Sequence, residues 1–205
     1  MSDTKNPDEF IVYGRLSFPN LFKAKSLNGG NPRYQCNILL DPKDPKQKAT
    51  IKLLRDAIDA KAQKAFKAKV PRHKTCLRNE GTWEGYEGMW YLSLARKEDQ
   101  GAPKVIQKVK GQGTKVLTAQ DANPYAGCYC YFKFRIYDVN YDGVKQVPGS
   151  LEIVQFAGHG KPFGAGAASD DDMPETDDLE ESEDGLSDGD DDLSGGGDSL
   201  DDDDI

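Results

Sequence analysis

From Gly127 to Val139 the chain alternates without interruption. Cys128, Cys130, Phe132, Phe134 and Ile136 share one parity and are all apolar. Tyr129, Tyr131, Lys133, Arg135 and Tyr137 share the other. A period of two predicts a β-strand with one face buried. The other face is unusual, because a solvated strand face normally mixes charges with Ser and Thr, and this one carries three phenol rings and two cations. Rings can stack on unpaired bases and cations can hold phosphates, which is the chemistry that binding a single-stranded nucleic acid requires; each stacked base contributes on the order of 1–3 kcal/mol. Cross-strand tyrosines also stabilise a sheet with no ligand at all, so the reading rests on the set of residues and not on one ring. The outward sides of other predicted strands add Tyr13, Arg15, Arg33, Tyr91 and Lys97. Loops add Phe22, Lys23 and Lys25 early in the chain, and Lys104 and Lys108, with Lys110 and Lys115, in a later hairpin. Loops of a small barrel often line its ligand groove.

Charge distribution points the same way. All 27 Lys and Arg precede Ser169, together with only 16 of the 35 acidic residues. The other 19 acids lie between Ser169 and Ile205, a stretch without a single Lys or Arg. The net charge of −8 therefore hides a basic body and a strongly acidic tail. This asymmetry predicts a polyanion-binding domain with an interaction tail. The tail is Gly, Ser, Asp and Glu with isolated apolar residues, too little apolar surface to offset the entropy of ordering it. Its charge density imitates a nucleic acid strand, so it is expected to compete for the basic groove at high effective concentration. It closes on Asp201, Asp202, Asp203, Asp204 and Ile205, an acidic run with one apolar side chain, which suits a basic-rimmed apolar pocket on a partner protein.

Other constellations are weaker. His73 and Cys76 form half of a zinc site that Cys128 and Cys130 would have to complete, but the latter two lie on the apolar face, where buried thiols are ordinary. Asp190, Asp192, Ser194, Gly195, Asp198 and Asp201 fall at calcium-loop spacings without flanking helices, as an aspartate-rich tract does by chance. No metal site and no cofactor is expected. Glu80, Glu84 and Glu87 share a loop that a metal-dependent nuclease would need, yet nothing places a base beside them. No phosphate-loop signature and no nucleophile set appears, so a non-enzymatic protein is expected. The absence of an apolar leader, of a membrane-length apolar run and of a framework of cysteines predicts a cytoplasmic setting.

Positioning these side chains falls to a mainly β body of one domain, residues 10–160, after a polar N-terminus over residues 1–9 and before a disordered acidic tail over residues 161–205. Strands are predicted over Phe10–Phe18, with Phe10, Val12, Gly14, Leu16 and Phe18 inward; from Tyr34 to Leu40; over Met89–Lys97; as a hairpin over Lys104–Leu117; over Gly127–Val139; and over Val147–Ala157. Asp44-Pro45 reads as N-cap and first residue of one helix reaching about Lys69, with Leu54, Ala57, Ile58, Ala62, Ala65 and Phe66 as its apolar stripe. Its lysines read as a solvated surface. Residues Arg72–Gly88 read as loop. One helix among short strands predicts a small antiparallel barrel or sandwich.

Three features carry a family resemblance: Gly14-Arg15-Leu16-Ser17-Phe18-Pro19-Asn20-Leu21-Phe22, Tyr125-Ala126-Gly127-Cys128-Tyr129 leading into the long strand, and the inserted helix. In these the chain, from about Gly14 to Phe156 and with its tail, resembles phage single-stranded DNA-binding proteins with an OB-fold and an acidic tail. That resemblance implies an OB-fold-like barrel, passive coating of transient single strands in phage replication or recombination, and contact with replication enzymes through the tail. In the wider group of acidic-tailed binders the tail ends in an aromatic residue; here it ends in Ile205. The rival readings are a strand-annealing recombination mediator, a metal-dependent nuclease and an RNA-binding regulator.

Overall fold

The computed structural model describes residues 6–26, 29–79, 81–83 and 85–163. The chain divides into Met1–Ala167 and Ala168–Ile205. The second unit, and with it the tail residues Asp201 to Ile205, lies outside the described residues, as do Glu80, Glu84 and the calcium-loop matches.

Ten strands and one α-helix follow in the order β1 (Glu9–Lys25), β2 (Arg33–Leu40), α1 (Pro45–Phe66), β3 (Leu77–Arg78), β4 (Trp90–Lys97), β5 (Lys104–Val109), β6 (Gly113–Val116), β7 (Tyr129–Ile136), β8 (Val139–Tyr141), β9 (Val144–Gln146) and β10 (Gly149–Gly158). Five of them close on themselves. β1 pairs antiparallel with β2 and with β7, β2 with β4, and β7 with β10. Parallel pairing of Gly149 with Leu94 and Ser150 with Ala95 joins β10 to β4 and completes the ring. The circuit β1-β2-β4-β10-β7 is that of the five-stranded OB barrel, with α1 inserted between its second and third strands. β5 and β6 extend the sheet beyond β10, and β8–β9 form a separate hairpin.

The core follows from the alternation. Cys128, Cys130, Phe132, Phe134 and Ile136 are all buried, as the β7 pattern predicts, and meet Val12, Leu16, Cys36, Ile38, Leu92, Leu94, Leu151 and Val154 from the other walls. Gly14 permits close packing there, since a Cβ would run into Ile38 and the carbonyl of Leu39. Helix α1 starts where Asp44 accepts from the Lys46 and Gln47 amides at 2.8 and 3.4 Å, satisfying donors that the first turn leaves free. It ends at Lys67 in the left-handed region. Ile51, Leu54, Ile58 and Ala62 are its buried stripe. Ala65, expected in that stripe, is exposed, while Phe66 beside it packs against the core.

Strand β1 departs from expectation at Pro19. It does not stop there but runs to Lys25, with register shifts after Ser17 and Asn20. The bulge inverts the alternation: Ser17 is buried, and Phe18, expected inward, has φ +46° and is 49% exposed. An extra residue in one strand of a pair re-aims the side chains that follow it. The same inversion turns Leu21 into the core; Phe22, which follows it in the stretch of the second register shift, packs partly against that core.

Candidate nucleic-acid interface

Register places the tyrosines of β1 and β7 on one outer patch. Tyr13 pairs with Tyr131, and Arg15 with Tyr129. The rings of Tyr13 and Tyr129 stack at 5.7 Å with 9° between their planes, and Tyr131 tilts against Tyr13 at 5.0 Å. Tyr13 and Tyr131 remain 41% and 43% exposed, so ring faces are open to solvent. Partial burial, and then the neighbouring phenols of Tyr129 and Tyr131, raise the Tyr13 pKa.

Arg15 joins this patch to a second one. Its Nε donates to the Gly127 carbonyl at 3.2 Å and its Nη2 to the Lys161 carbonyl at 2.6 Å. Its guanidinium lies 5.8 Å from the Tyr129 ring centre and 4.2 Å from that of Phe163. The strap His159–Phe163 is pinned beneath it. The Gly160 amide donates to the Tyr125 hydroxyl, that hydroxyl donates to the Gly160 carbonyl at 3.0 Å, and the Phe163 amide donates to the Ala126 carbonyl at 3.1 Å. Gly127, with φ +104°, is where the strap passes closest, and any Cβ would meet the backbone of Lys161, Pro162 and Phe163. Beyond Phe163 a compact group on the outer face contains Leu39, Tyr86 and Tyr91, with Met89 against it. Trp83 lies edge-on to Phe18, Tyr86 and Tyr91 at 5.5, 5.1 and 6.1 Å. Trp83 and Phe18 stay nearly half exposed. The Tyr86 hydroxyl accepts from Asn37 Nδ2 at 3.0 Å, and burial raises its pKa.

Several expected contacts are thereby corrected. Tyr91 points to the outer side, but only 5% of it is exposed, because Trp83 and Tyr86 cover it; it supports the platform and does not offer a free face. Phe22 packs toward the core after the β1 bulge. Lys133 faces outward, yet Glu9 at 3.3 Å and Glu152 at 3.5 Å match its charge. Arg135 is exposed. Lys25, Arg33 and Lys97 occupy successive partnered positions on β1, β2 and β4, and Arg33 and Lys97 line a cavity of about 340 Å³ beside Arg96, Glu98 and Asp99. Lys23 is exposed on the same extension of β1. Lys104 and Lys108 are exposed on β5, with Lys104 opposite Ile153, which itself pairs with Lys133. Sequence reasoning missed Trp83, Tyr86, Phe18 and Phe163. Two aromatic residues set among Gly81, Gly85 and Gly88 are the signal that was available.

Cys36, Cys76, Cys128 and Cys130 are free and buried, and burial pushes the Cys76 thiol up to about 12. Among the described residues no three His, Cys, Asp or Glu side chains gather closely enough to hold a metal ion.

The family model described as "Enterobacter phage Enc34, ssDNA-binding protein" matches residues 11–184. The chain belongs to that family. It is a family of single-stranded DNA-binding proteins and not of enzymes. Protein p50 of Acyrthosiphon pisum secondary endosymbiont phage 1 is 33% identical over 180 residues, covering 82% of this chain and 92% of the relative. Two solved structures of the single-stranded DNA-binding protein from bacteriophage Enc34 share the fold. The one in complex with ssDNA has a TM-score of 0.64 at 20% identity, over 77% of this chain and 90% of that one. The C-terminally truncated one has a TM-score of 0.63 at 22% identity, over 76% and 88%. Both likenesses are of the fold.

Proposed function

We propose that this chain binds single-stranded DNA, with little sequence preference, across the outer face of β1 and β7. The observation that carries the reading is the cluster of Tyr13, Tyr129 and Tyr131, parallel or tilted, open to solvent and continued through Arg15 to Phe163, Trp83 and Phe18. Stacking is indifferent to base identity because every base has a π-face. Phosphates run along exposed cations: Lys23, Lys25, Arg33 and Lys97 at one end, Arg135, Lys104 and Lys108 at the other. Membership of a phage single-stranded DNA-binding family, one solved member of which holds ssDNA, supports it.

The role that follows is passive protection of transient single strands during phage DNA replication or recombination, in the host cytoplasm. Among the described residues no helix is long and apolar enough to cross a membrane. The 19 acidic residues after Ser169 compete with DNA for the basic face and, once displaced, recruit replication or recombination proteins. Titrating fluorescent oligo-dT, a matched duplex and a matched RNA at two salt concentrations tests the reading. Single-stranded DNA is expected to bind well above duplex and RNA, and the oligonucleotide to remain intact with Mg²⁺. Equal affinity for duplex overturns it. Faster pairing of complementary strands in the same samples assigns an annealing role to the same surface.

A further inference from the structure

Helix α1 carries a feature that the outer face of β1 and β7 does not use. Pro42, Pro45, Ala49, Ile51 and Trp90 floor a cavity of about 450 Å³, and Lys48, Lys52 and Arg55 rim it. Positions 48, 52 and 55 are spaced i, i+4 and i+7, so the three cations share one helix face. All three are exposed. Among the described residues Lys48 and Arg55 have no carboxylate within ion-pair distance, and Lys52 has only the exposed Asp56 at 2.6 Å, a pairing of a kind that costs little to give up. The first turn of α1 contains no acidic residue, and Asp44 before it is taken up by the Lys46 and Gln47 amides. Lys48 and Lys52 stand about 6 Å apart along the helix axis, and Lys48 and Arg55 about 10 Å. The first of these steps is close to that between successive phosphates of an extended single strand. Two proline rings and an indole lie beside them, apolar faces against which a base can stack. An acidic peptide would use the cations and leave the indole without a role. Trp90 and Tyr91 alternate along β4, so this cavity and the covered face of Tyr91 use opposite sides of the strand.

We infer that this cavity is a second site for single-stranded DNA, so that one copy of the chain holds two strand segments at once. A base enters against Trp90 and Pro45, and the phosphates on either side of it meet Lys48, Lys52 and Arg55. The inference rests on the reading that the chain binds single strands and adds a separate site to the tyrosine face. Its consequence is bridging: two strands, or two distant segments of one strand, are held together by one copy without pairing with each other.

The test titrates the full-length protein with oligo-dT of about eight nucleotides, within the length that a single OB fold covers. Trp83 and Trp90 are the two tryptophans of the chain. Their indole N–H resonances, assigned by comparison with W83F, report the outer face and the cavity separately. The first equivalent of oligonucleotide is expected to shift Trp83 and a second to shift Trp90, and native mass spectrometry to show one chain with two oligonucleotides. Charge reversal at the rim (K48E/K52E/R55E) is expected to abolish the second equivalent and the Trp90 shift while the first is kept, and the charge-preserving K48R/K52R to keep both; thermal melts report whether each variant folds. Bridging is read on beads: protein held by immobilised oligo-dT is expected to capture fluorescent oligo-dT, and the folded rim variant to lose that capture. Oligo-dT does not pair with itself, so the capture owes nothing to annealing. If neither indole shifts, the single-strand reading fails and the inference with it. The inference alone is overturned by a Trp83 shift at saturation with Trp90 in place, by a second equivalent that survives in the folded rim variant, or by a Trp90 shift that a synthetic peptide of residues 191–205 produces and oligo-dT does not, which would assign the cavity to an acidic protein segment.

Discussion

Tyr13 stacks on Tyr129 at 5.7 Å with 9° between the rings, although its direct partner across the strands is Tyr131. A diagonal contact of this kind leans the rings along the strand and leaves the Tyr131 ring tilted at 51° beside them. The neighbour of Tyr129 across the strands is Arg15, whose guanidinium is anchored by two backbone carbonyls and closes the row toward Phe163. A platform of pre-positioned rings loses little side-chain entropy when a base arrives, and this is the physical reason for assigning the site here.

Truncating the exposed rings separates binding from folding. Y13A and Y131A are each expected to weaken single-strand binding by on the order of 1–3 kcal/mol, with little change in melting temperature. F132A, one residue away but fully buried, is expected to cost roughly 3–5 kcal/mol of stability. Fluorescence titration and urea denaturation of the three variants check both. Unfolding by Y131A would reverse the assignment of faces.

The strap over Arg15 depends on Gly127. G127A forces an alanine to φ +104° and into the backbone at Lys161, and is expected to cost at least about 1–3 kcal/mol. R15K keeps the charge but loses the planar fork that reaches both carbonyls. It is expected to free the Phe163 amide without unfolding the barrel, which hydrogen exchange at Phe163 reports.

Removing residues 169–205 is expected to raise affinity for oligo-dT, most at low salt, where electrostatic competition is least screened. For both forms log affinity should fall with log salt by about 0.7 per phosphate neutralised. An unchanged dissociation constant at low salt would leave the tail as a tether or solubiliser.

Acid is expected to loosen the loop that Asp121 holds. Lys115 at 2.6 Å, followed by the Thr118 amide and hydroxyl, lowers the Asp121 pKa to about 2. A depressed carboxylate pKa contributes stability that is present above its ordinary value near 3.9 and lost as pH falls toward 2. The protection factor of the Thr118 amide is therefore expected to be full at pH 5 and to drop between pH 4 and pH 2, and D121N to show the low value throughout.

Alternation made most of the barrel legible. β7 and its two faces follow from parity alone; the N-cap at Asp44 follows from the Asp44-Pro45 pair, and the hairpin turn from Gly111 and Gly113. Three things were not legible, each for a physical reason. The bulge after Ser17 inverts the parity of β1, which no local pattern announces, and so sent Phe18 outward and Leu21 inward. The cover over Tyr91 comes from Trp83 and Tyr86, in a stretch without periodicity, and only the fold brings it across β2 and β4. Lys133 gained its partners from Glu9 and Glu152, which are distant in sequence and adjacent only through strand pairing. Charge counting saw a cation there and could not see that it was matched.

Ultraviolet cross-linking of the full-length protein to oligo-dT, followed by mass spectrometry of the cross-linked peptides, tests the central claim most directly. The account predicts adducts on peptides containing Tyr13, Tyr129–Tyr131 or Trp83, which are lost in competition with unlabelled single strand and not with duplex. Adducts confined to α1, Pro45–Phe66, or to the β8–β9 hairpin would contradict it.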